Sequence, residues 1–501
     1  MRLQNYSKQH TRYFTPKAAP VNKSGANLAQ ALAGAAWVHQ RVCGYGVAAQ
    51  SLNTAYASLS QSLSNAATHN PLRGAIQDLA FLAQRQRGRA QALIQALALN
   101  PTKTEPSVLA LLEVALAIMV KDGVAKYDAH TVVNQAVVAV ARVLHCANMS
   151  WHAHPVPDAP TQVKGFVNGV LRRWLREQDA LLATALQNPV AQWNYPQWWI
   201  TAVQKDYPEA WQSILQAGNA QAAMTLRVNQ RVGSLAEAQH ALEDAGIASD
   251  TLLGSATALR LQRPTDVARI PGFMEGFFSV QDEGAQRLLQ HLDLQPGQRV
   301  LDACAAPGGK AALMLEACDI HLTAVDIDQS RLDKIAQTFQ RVRYTLPNMK
   351  GENKNISLKI VAADMTQSSQ TSAWFDGTLF DCIVLDAPCS ASGVVRRHPD
   401  ARWLRRPDDL KTLIATQATL LKSVWPTLAV GGRLVYITCS VFKSEGEAQI
   451  AAFLDTFSQD AQNSSAKQLP AQGQLLPYAT ADTEHDGFYY AVLQKNAEGN
   501  I

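Results

Sequence analysis

RVLDACAAPGGK, residues 299–310, decides how the C-terminal half of this chain is read. The apolar run up to Cys304 has the character of a buried strand; Pro307, Gly308 and Gly309 make a tight turn, and a helix is expected from about Lys310. A strand that feeds a Gly-rich turn and then a helix is the repeating unit of a doubly wound sheet. The unit recurs. LTAVDID (322–328), LKIVAAD (358–364), FDCIVLDAP (380–388), RLVYITCS (433–440) and GFYYAVLQ (487–494) read as further strands, with helical stretches such as SRLDKIAQTFQRV (330–342) between them. An α/β Rossmann-like domain on a parallel sheet is expected over 285–495, with TLPNMKGENKNIS (345–357) as a loop insertion.

Toward the N-terminus the pattern changes. MTLRVN (224–229), ALRLQ (258–262) and FFSVQ (277–281) read as short strands. GSLAEAQHALEDAGI (233–247) reads as a helix, with Ser234 and Glu237 in capping-box spacing and Gly246 at its end. A small α+β linker module over 191–284 fits, its boundary near NYPQWW (194–199). Before it the chain is Ala- and Leu-rich with helical periodicity: Leu28, Leu32, Ala35 and Ala36 share a face, Gly44 is a stop, and similar patterns cover 80–98, 106–121 and 131–146. In VKGFVNGVLRRWLRE (163–177), Val163, Phe166, Val167, Val170, Leu171, Trp174 and Leu175 recur at helical spacing, leaving Arg172, Arg173 and Arg176 on the other face. The proline-bearing stretch 147–160 reads as a long loop. The expected order is therefore multi-domain: a flexible basic arm (1–25), an all-α domain (26–190), the α+β module, and the Rossmann-like domain.

The chain as a whole narrows the function. Its 501 residues exceed one ordinary core, and 47% hydrophobic with 17% charged residues is the composition of a globular protein. A net charge of +4 permits a nucleic-acid partner without demanding one. Seven cysteines are scattered without the paired spacing of a zinc site, so no metal is expected. The opening MRLQNYSKQHTRYFTPK lacks the apolar core of a secretory signal, and VLALLEVALAIMV (108–120) contains Glu113 and is too short for a bilayer. The expectation is a cytoplasmic protein with reduced thiols and no membrane partner.

Ligands of such sheets gather beyond the carboxyl ends of the strands. There stand the turn 304–310 (Cys304, Ala305, Ala306, Pro307, Gly308, Gly309, Lys310) and three acids on successive strands, Asp326, Asp364 and Asp386. One Gly-rich turn is as readily a compact connection, and one acid a helix cap. Three acids after such a turn favour a ligand bearing a nucleoside, with Asp326 placed for ribose hydroxyls. The turn has neither GxGxxG nor GxxxxGK[ST] spacing, which argues against a dinucleotide or a triphosphate. S-adenosylmethionine is the expected cofactor.

Cys389 and Cys439 stand at two further strand ends. A lone cysteine is usually a small buried hydrophobe; two at the acid-bearing end of one sheet suggest chemistry. A thiolate beside a methyl donor suits methylation at carbon 5 of a pyrimidine, which becomes nucleophilic once a thiolate adds to carbon 6. Lys310, Arg396, Arg397 and His398 could supply the charge that activates a thiol, and Asp386 could hydrogen-bond the cytosine ring. The residues alone leave open which thiol attacks.

LDACAAPGGK, AVDID, LDAPCSASGVVRRHPD and TCS, preceded by FFSVQDEGAQ, resemble the cytosine-5 RNA methyltransferases, and their order and wording are similar to the RsmB (Sun/Fmu) branch that modifies small-subunit (16S) ribosomal RNA. The helical region with VNGVLRR resembles that branch's NusB-like RNA-binding domain. The resemblance covers most of 26–495 and is specific in the C-terminal half. It implies that the 304–310 loop holds the methionine part of S-adenosylmethionine, Asp326 the ribose and Asp364 the adenine, with Asp386 near the methyl group and base. It implies Cys439 as the attacking thiol and Cys389 as the one that assists product release. The arm, the 147–160 loop and the 345–357 insertion look like additions.

The run RRHPDARWLRRPDDLK (396–411) is by default a solvated charged face, yet after a reactive strand end it reads better as a phosphate grip through Arg396, Arg397 and His398. Arg172 and Arg173 are a second RNA-facing candidate. The expected partner is ribosomal RNA, as a loop or unassembled segment whose base can be unstacked, and the protein a monomer. The same chemistry on tRNA is the near alternative; a non-catalytic RNA-binding or assembly factor and a small-molecule methyltransferase are the alternatives of other classes.

Overall fold

The computed structural model describes residues 27–63, 71–97, 99–100, 102–120, 127–147, 156–342, 356–367, 374–458, 466–479 and 484–496. The expected arm and most of the 147–160 and 345–357 stretches lie outside them. Among the described residues the chain forms two units: one runs up to Asn219 and takes in Val395–Leu404, and the other comprises Ala220–Val394 and the chain from Arg405 onward.

The first unit is helical. It contains α1 (Leu28–Cys43), α2 (Leu52–Leu63), α3 (Pro71–Arg85), α4 (Arg87–Ala96), α5 (Pro106–Met119), α6 (Ala129–Cys146), α7 (Thr161–Ala185), α8 (Pro189–Trp193), α9 (Gln197–Asp206) and α10 (Trp211–Asn219). Helices α1 and α5 are buried around nearly their whole circumference, as uniformly apolar sequences must be, and α1 packs against α3, α5 and α6. Gly34 permits the close approach of α3, since a Cβ there would lie 2.5 Å from Ile76 Cδ1. Asn27 caps α1 by accepting from the Ala29 N–H, and Gly44 ends it at φ +70°. The 80–98 periodicity belongs to two helices, α3 and α4, parted at Gln86. Phe166, expected on the apolar face of α7, is 38% exposed.

By packing, the helical unit runs to Asn219 and takes in the returning segment 395–404. Arg402 is fully buried: its guanidinium lies 3.9 Å over the Tyr195 ring and donates to the carbonyls of Asn194 (3.2 Å) and Gly218 (2.8 Å) and to Asn219 Oδ1. Asp400 accepts from the Leu52 N–H (2.8 Å), and Trp403 Nε1 donates to the Gln84 carbonyl (3.0 Å). The phosphate-grip expectation is thereby corrected for Arg396. It is 1% exposed, and its carbonyl accepts from Arg85 Nη2 at 2.8 Å, so its guanidinium is sequestered from solvent. Arg397 is half-buried and His398 exposed.

The second unit begins with a four-stranded antiparallel sheet in the order β2-β3-β1-β4: β1 (Thr225–Val228), β2 (Ser249–Thr251), β3 (Ala258–Leu261) and β4 (Phe278–Val280), with α11 (Leu235–Asp244) beside it. The Ser234–Glu237 capping box is present, and Gly246 takes φ +71° just past the end. After α12 (Glu283–Gln286) comes a seven-stranded sheet: β5 (Arg299–Ala303), β6 (His321–Asp326), β7 (Ser357–Ala362), β8 (Phe380–Asp386), β9 (Leu428–Thr438), β10 (Ala466–Leu475) and, after the short ribbon of β11 (Tyr478–Ala479) and β12 (Glu484–His485), β13 (Phe488–Lys495). Its order is β10-β13-β9-β8-β5-β6-β7. Strands β9, β8, β5, β6 and β7 are parallel, whereas β13 pairs antiparallel with both β9 and β10, which makes the sheet mixed and not wholly parallel as expected. Helices α13 (Gly309–Ala317) and α14 (Gln329–Arg341) follow β5 and β6; α15 (Ala401–Leu404) lies in the helical unit; α16 (Pro407–Val424) and α17 (Glu447–Ser458) flank β9 in sequence. No described helix is long and apolar enough to cross a membrane.

Two buried polar pairs give testable consequences. Arg227 of β1 meets Glu316 of α13 through Nε (2.8 Å) and Nη2 (2.7 Å), both side chains buried, and so ties the small sheet to the larger domain. Arg227→Met strands a buried carboxylate and is expected to cost about 3–5 kcal/mol, read by urea unfolding with hydrogen exchange of β5–β9; adding Glu316→Leu is expected to recover most of it. In the helical unit, buried His39 contacts Glu113 at 2.7 Å. Burial works against its charge, but Cys43 and Glu113 outweigh this and push its pKa from 6.5 up to about 9. A raised folded pKa stabilises fully below pH 6.5 and loses that contribution as pH rises through 9. Hydrogen exchange of α1 amides, corrected for intrinsic rate, is expected to show this loss, and Glu113→Gln to flatten it.

Candidate active site

Strand β5 ends at Ala303, and the backbone turns abruptly, with Cys304 at φ +63° and Gly308 at φ +95°. Gly308 is required twice over: for that φ, and because a Cβ would press on Ile335 at 3.3 Å. Helix α13 starts directly behind it.

The turn is fastened by the next strand's acid. Asp326, 3% exposed, accepts from the N–H groups of Ala306 (3.1 Å) and Asp328 (3.2 Å), and Arg331 Nη1 lies 3.4 Å away. Asp364, beyond β7, accepts from the Thr366 N–H (2.9 Å) and hydroxyl (2.6 Å), which hold its carboxyl below the usual range. Asp386, at the end of β8, meets Lys310 Nζ at 2.6 Å. Burial works against the Lys310 charge, and Asp386 more than makes up for it, so the lysine is held as a cation. Asp302 beneath them is pushed up to about 8 by burial and then by Asp386, and keeps its proton at neutral pH.

These groups converge. A cavity of about 260 Å³ is walled by Cys304, Ala306, Asp326, Ile327, Arg331, Asp364, Met365, Thr366, Asp386, Pro388, Cys389, Thr416, Leu420 and Cys439. Ala305, Pro307, Gly308 and Gly309 do not line it, and Lys310 is bonded to Asp386. Sequence reasoning missed Ile327, Arg331, Met365, Thr366, Thr416 and Leu420 among the lining residues. Ile327 carried a signal, being the apolar residue beside Asp326, and it stands 66% exposed. Met365 carried the same signal beside Asp364; Thr416 and Leu420 come from α16, which sequence does not align with the strand ends. Arg172 is exposed and Arg173 half-buried, bonded to Glu177 and the Leu97 carbonyl; both lie in the helical unit.

Parallel pairing of β8 with β9, Asp386 opposite Ile437, sets Cys389 and Cys439 side by side with sulfurs 3.3 Å apart. The hydrogen bond to Cys439, then burial, then the charges at Cys439 and Glu445, push Cys389 well up, so it is held as the thiol. The two loops are laced together: Gly393 N–H donates to the Cys439 carbonyl (2.9 Å), and Gly393 packs so closely on Gly487 that a Cβ would be 2.0 Å from its carbonyl oxygen.

The cavity fits S-adenosylmethionine. Asp326 and Asp364 offer acceptors for hydroxyl and amino groups, and Ile327, Met365 and Leu420 offer apolar contact for a flat base. Among the described residues its one lining cation, Arg331, lies 3.4 Å from Asp326 and donates to the Ala306 carbonyl (2.9 Å).

Comparison with known proteins agrees. Residues 289–494 match the family described as 16S rRNA methyltransferase RsmB/F, and 195–268 match the ferredoxin-like domain of the same proteins. Ribosomal RNA small subunit methyltransferase B of Vibrio cholerae is 36% identical over 444 residues, 87% of this chain and 94% of that protein. The same-named protein of Pseudomonas syringae pv. tomato is 37% identical over 437 residues, 85% of this chain and 90% of that protein. Among solved structures, that of PH0851 is similar in fold, with a TM-score of 0.68 at 21% identity over 93% of this chain and 99% of that one. Matched along most of its length by such relatives, and with a cavity suited to their cofactor, the chain belongs to the RsmB/F family of S-adenosylmethionine-dependent 16S rRNA methyltransferases.

Proposed function

We propose that this enzyme methylates carbon 5 of one cytosine in small-subunit ribosomal RNA through a covalent adduct with Cys439. The observation that carries the reading is the pair of sulfurs 3.3 Å apart in the wall of the cofactor cavity, beside the Lys310–Asp386 pair. S-adenosylmethionine supplies an electrophilic methyl group. By the family resemblance attack falls to Cys439, whose sulfur adds to carbon 6 and moves the ring electrons onto carbon 5. Asp386, paired with Lys310 at 2.6 Å, accepts a hydrogen bond from the cytosine's amino group and, once the ring nitrogen has taken up a proton in the adduct, from that nitrogen as well.

The second thiol then changes role. The leading causes of its raised pKa are the hydrogen bond to Cys439 and burial, followed by the charge of Cys439. Once Cys439 is bonded to carbon, its contribution is gone and Cys389 ionises more readily. With its own proton passed to solvent, Cys389 can then take the carbon 5 proton; the released electron pair restores the ring double bond and expels Cys439 as thiolate. The helical unit is read as a NusB-like RNA-binding domain, with the exposed Arg172 and His398 as contacts, and the protein as a cytoplasmic monomer.

Ribosomal RNA is favoured over tRNA by the names of the relatives that span this chain. Bisulfite mapping of cellular RNA with and without the gene is expected to lose one 16S cytosine signal. A lost tRNA signal instead would overturn the substrate, and no loss would overturn the chemistry. Cys439→Ser is expected to abolish methyl transfer, whereas Cys389→Ser accumulates an RNA–protein adduct that survives a denaturing gel. Asp326→Asn is expected to weaken S-adenosylmethionine binding roughly tenfold or more by calorimetry, as loss of a charged acceptor in a partly dry site does.

A further inference from the structure

We propose that Glu445 is a positioning residue that sets the separation and register of Cys389 and Cys439; the proposal rests on the two-thiol reading above. Glu445 is fully buried, seven residues beyond the end of β9, and its carboxylate touches neither the cavity nor a cysteine sulfur within hydrogen-bond reach. Its acceptor contacts bracket both cysteines. Oε1 takes the Ser390 N–H (2.8 Å) and Gln417 Nε2 (3.1 Å). Oε2 takes the hydroxyls of Ser390 (2.5 Å) and Ser440 (2.6 Å). Ser390 directly follows Cys389, and Ser440 directly follows Cys439.

The residues on the other side of each cysteine are held by neighbours of that carboxylate. Gln417 Nε2 also donates to the carbonyl of Pro388, at 2.9 Å. The Glu445 carbonyl accepts from Tyr436 Oη (2.9 Å) and Thr438 Oγ1 (3.4 Å), on the strand that delivers Cys439. The carboxylate thus holds the residue after each thiol, while its partner Gln417 holds the residue before Cys389 and the Glu445 backbone carbonyl holds the strand before Cys439.

Why a carboxylate is placed there is a question of cost. Among the described residues every side-chain donor bonded to it is neutral, and a buried charge without a counter-ion is expensive unless it is fully hydrogen-bonded. A neutral side chain could pack the space for less. What only a carboxylate provides is two acceptor oxygens and no donor of its own, so hydroxyls from two separate loops can converge on Oε2. The convergence fixes two loops that belong to different strands, and the sulfurs ride on those loops. Ser392 reinforces it, with its hydroxyl 2.8 Å from that of Ser440 and accepting from the Val441 N–H at 2.8 Å. The charge also contributes to holding Cys389 protonated, which couples placement to role.

The test separates placement from chemistry. In the full-length protein, the azo oxidant diamide converts the two thiols to a disulfide, taking two electrons and two protons, at a rate that reports how closely they are held. Glu445→Gln, which keeps the shape but adds a donor, is expected to slow this closure about tenfold or more. It is also expected to lower kcat by roughly tenfold or more while KM for RNA stays within about twofold, since misplacement by an ångström acts on the reacting geometry. Ser390→Ala with Ser440→Ala removes the donors instead of the acceptor and is expected to give the same pattern if Glu445→Gln does not fold. Unchanged closure with normal kcat in the variants overturns the proposal; so does reduced kcat with unchanged closure, which would give Glu445 some other task. If Cys439→Ser methylates normally, the two-thiol reading fails, while the closure rate still reads the clamp by itself.

Discussion

The parallel pairing of β8 with β9 is the constraint on which the site depends. In parallel strands the residues just past the carboxyl ends emerge side by side at one edge of the sheet. With Asp386 opposite Ile437, the segments after the two strands are in register, and Cys389 and Cys439 meet at 3.3 Å although 50 positions separate them in sequence. A slip of one residue would turn every side chain of one strand to the other face and part the sulfurs. The slip is opposed by burial on both faces of the sheet: Val384, Leu385, Val435, Tyr436 and Ile437 are all inaccessible to solvent. The apolar core, which has no chemistry, therefore sets the geometry of the groups that do.

Electrostatics completes what the register begins. Asp302, Asp326 and Asp386 converge with Lys310 as the cation bonded to Asp386, and three full negative charges so close would repel strongly. The fold resolves this unevenly. Asp302 keeps its proton through burial; Asp326 is stabilised by two N–H groups and Arg331; Asp386 is paired with Lys310. Environments that push like groups apart are what allow one carboxylate to be structural and its neighbour to meet a substrate.

Much of this was legible in the sequence, and the limits are physical. Strand ends, acids and the Gly-rich turn could be read because each is a local pattern: apolar runs, a φ that only glycine tolerates, a polar residue where a run stops. Asp326, Asp364, Asp386, Cys389 and Cys439 do line one cavity. Arg396 and Arg402 could not be read, because a charge run is normally a solvated face and nothing local reveals carbonyls from 194 and 218 waiting to receive a guanidinium. The antiparallel edge of the sheet was missed for a related reason: GFYYAVLQ has the same apolar wording whichever way it runs, and its partner β10 is half polar because it lies at an edge.

Glu445 shows the same limit most clearly. In CSVFKSEGE an acid after a lysine and a serine has the local look of a solvated turn. Its buried state comes entirely from donors on Ser390, Ser440 and Gln417, residues from three separate elements. Polar groups buried in this way stabilise little in net terms, because each bond replaces one to water. Leaving any of them unmade is costly, however, so the network tolerates only arrangements in which all its members are present together. That all-or-none character suits a site whose reacting atoms come from two loops: apolar packing fixes the strands to within a residue, and the converging hydrogen bonds fix what the loops do after the strands have ended.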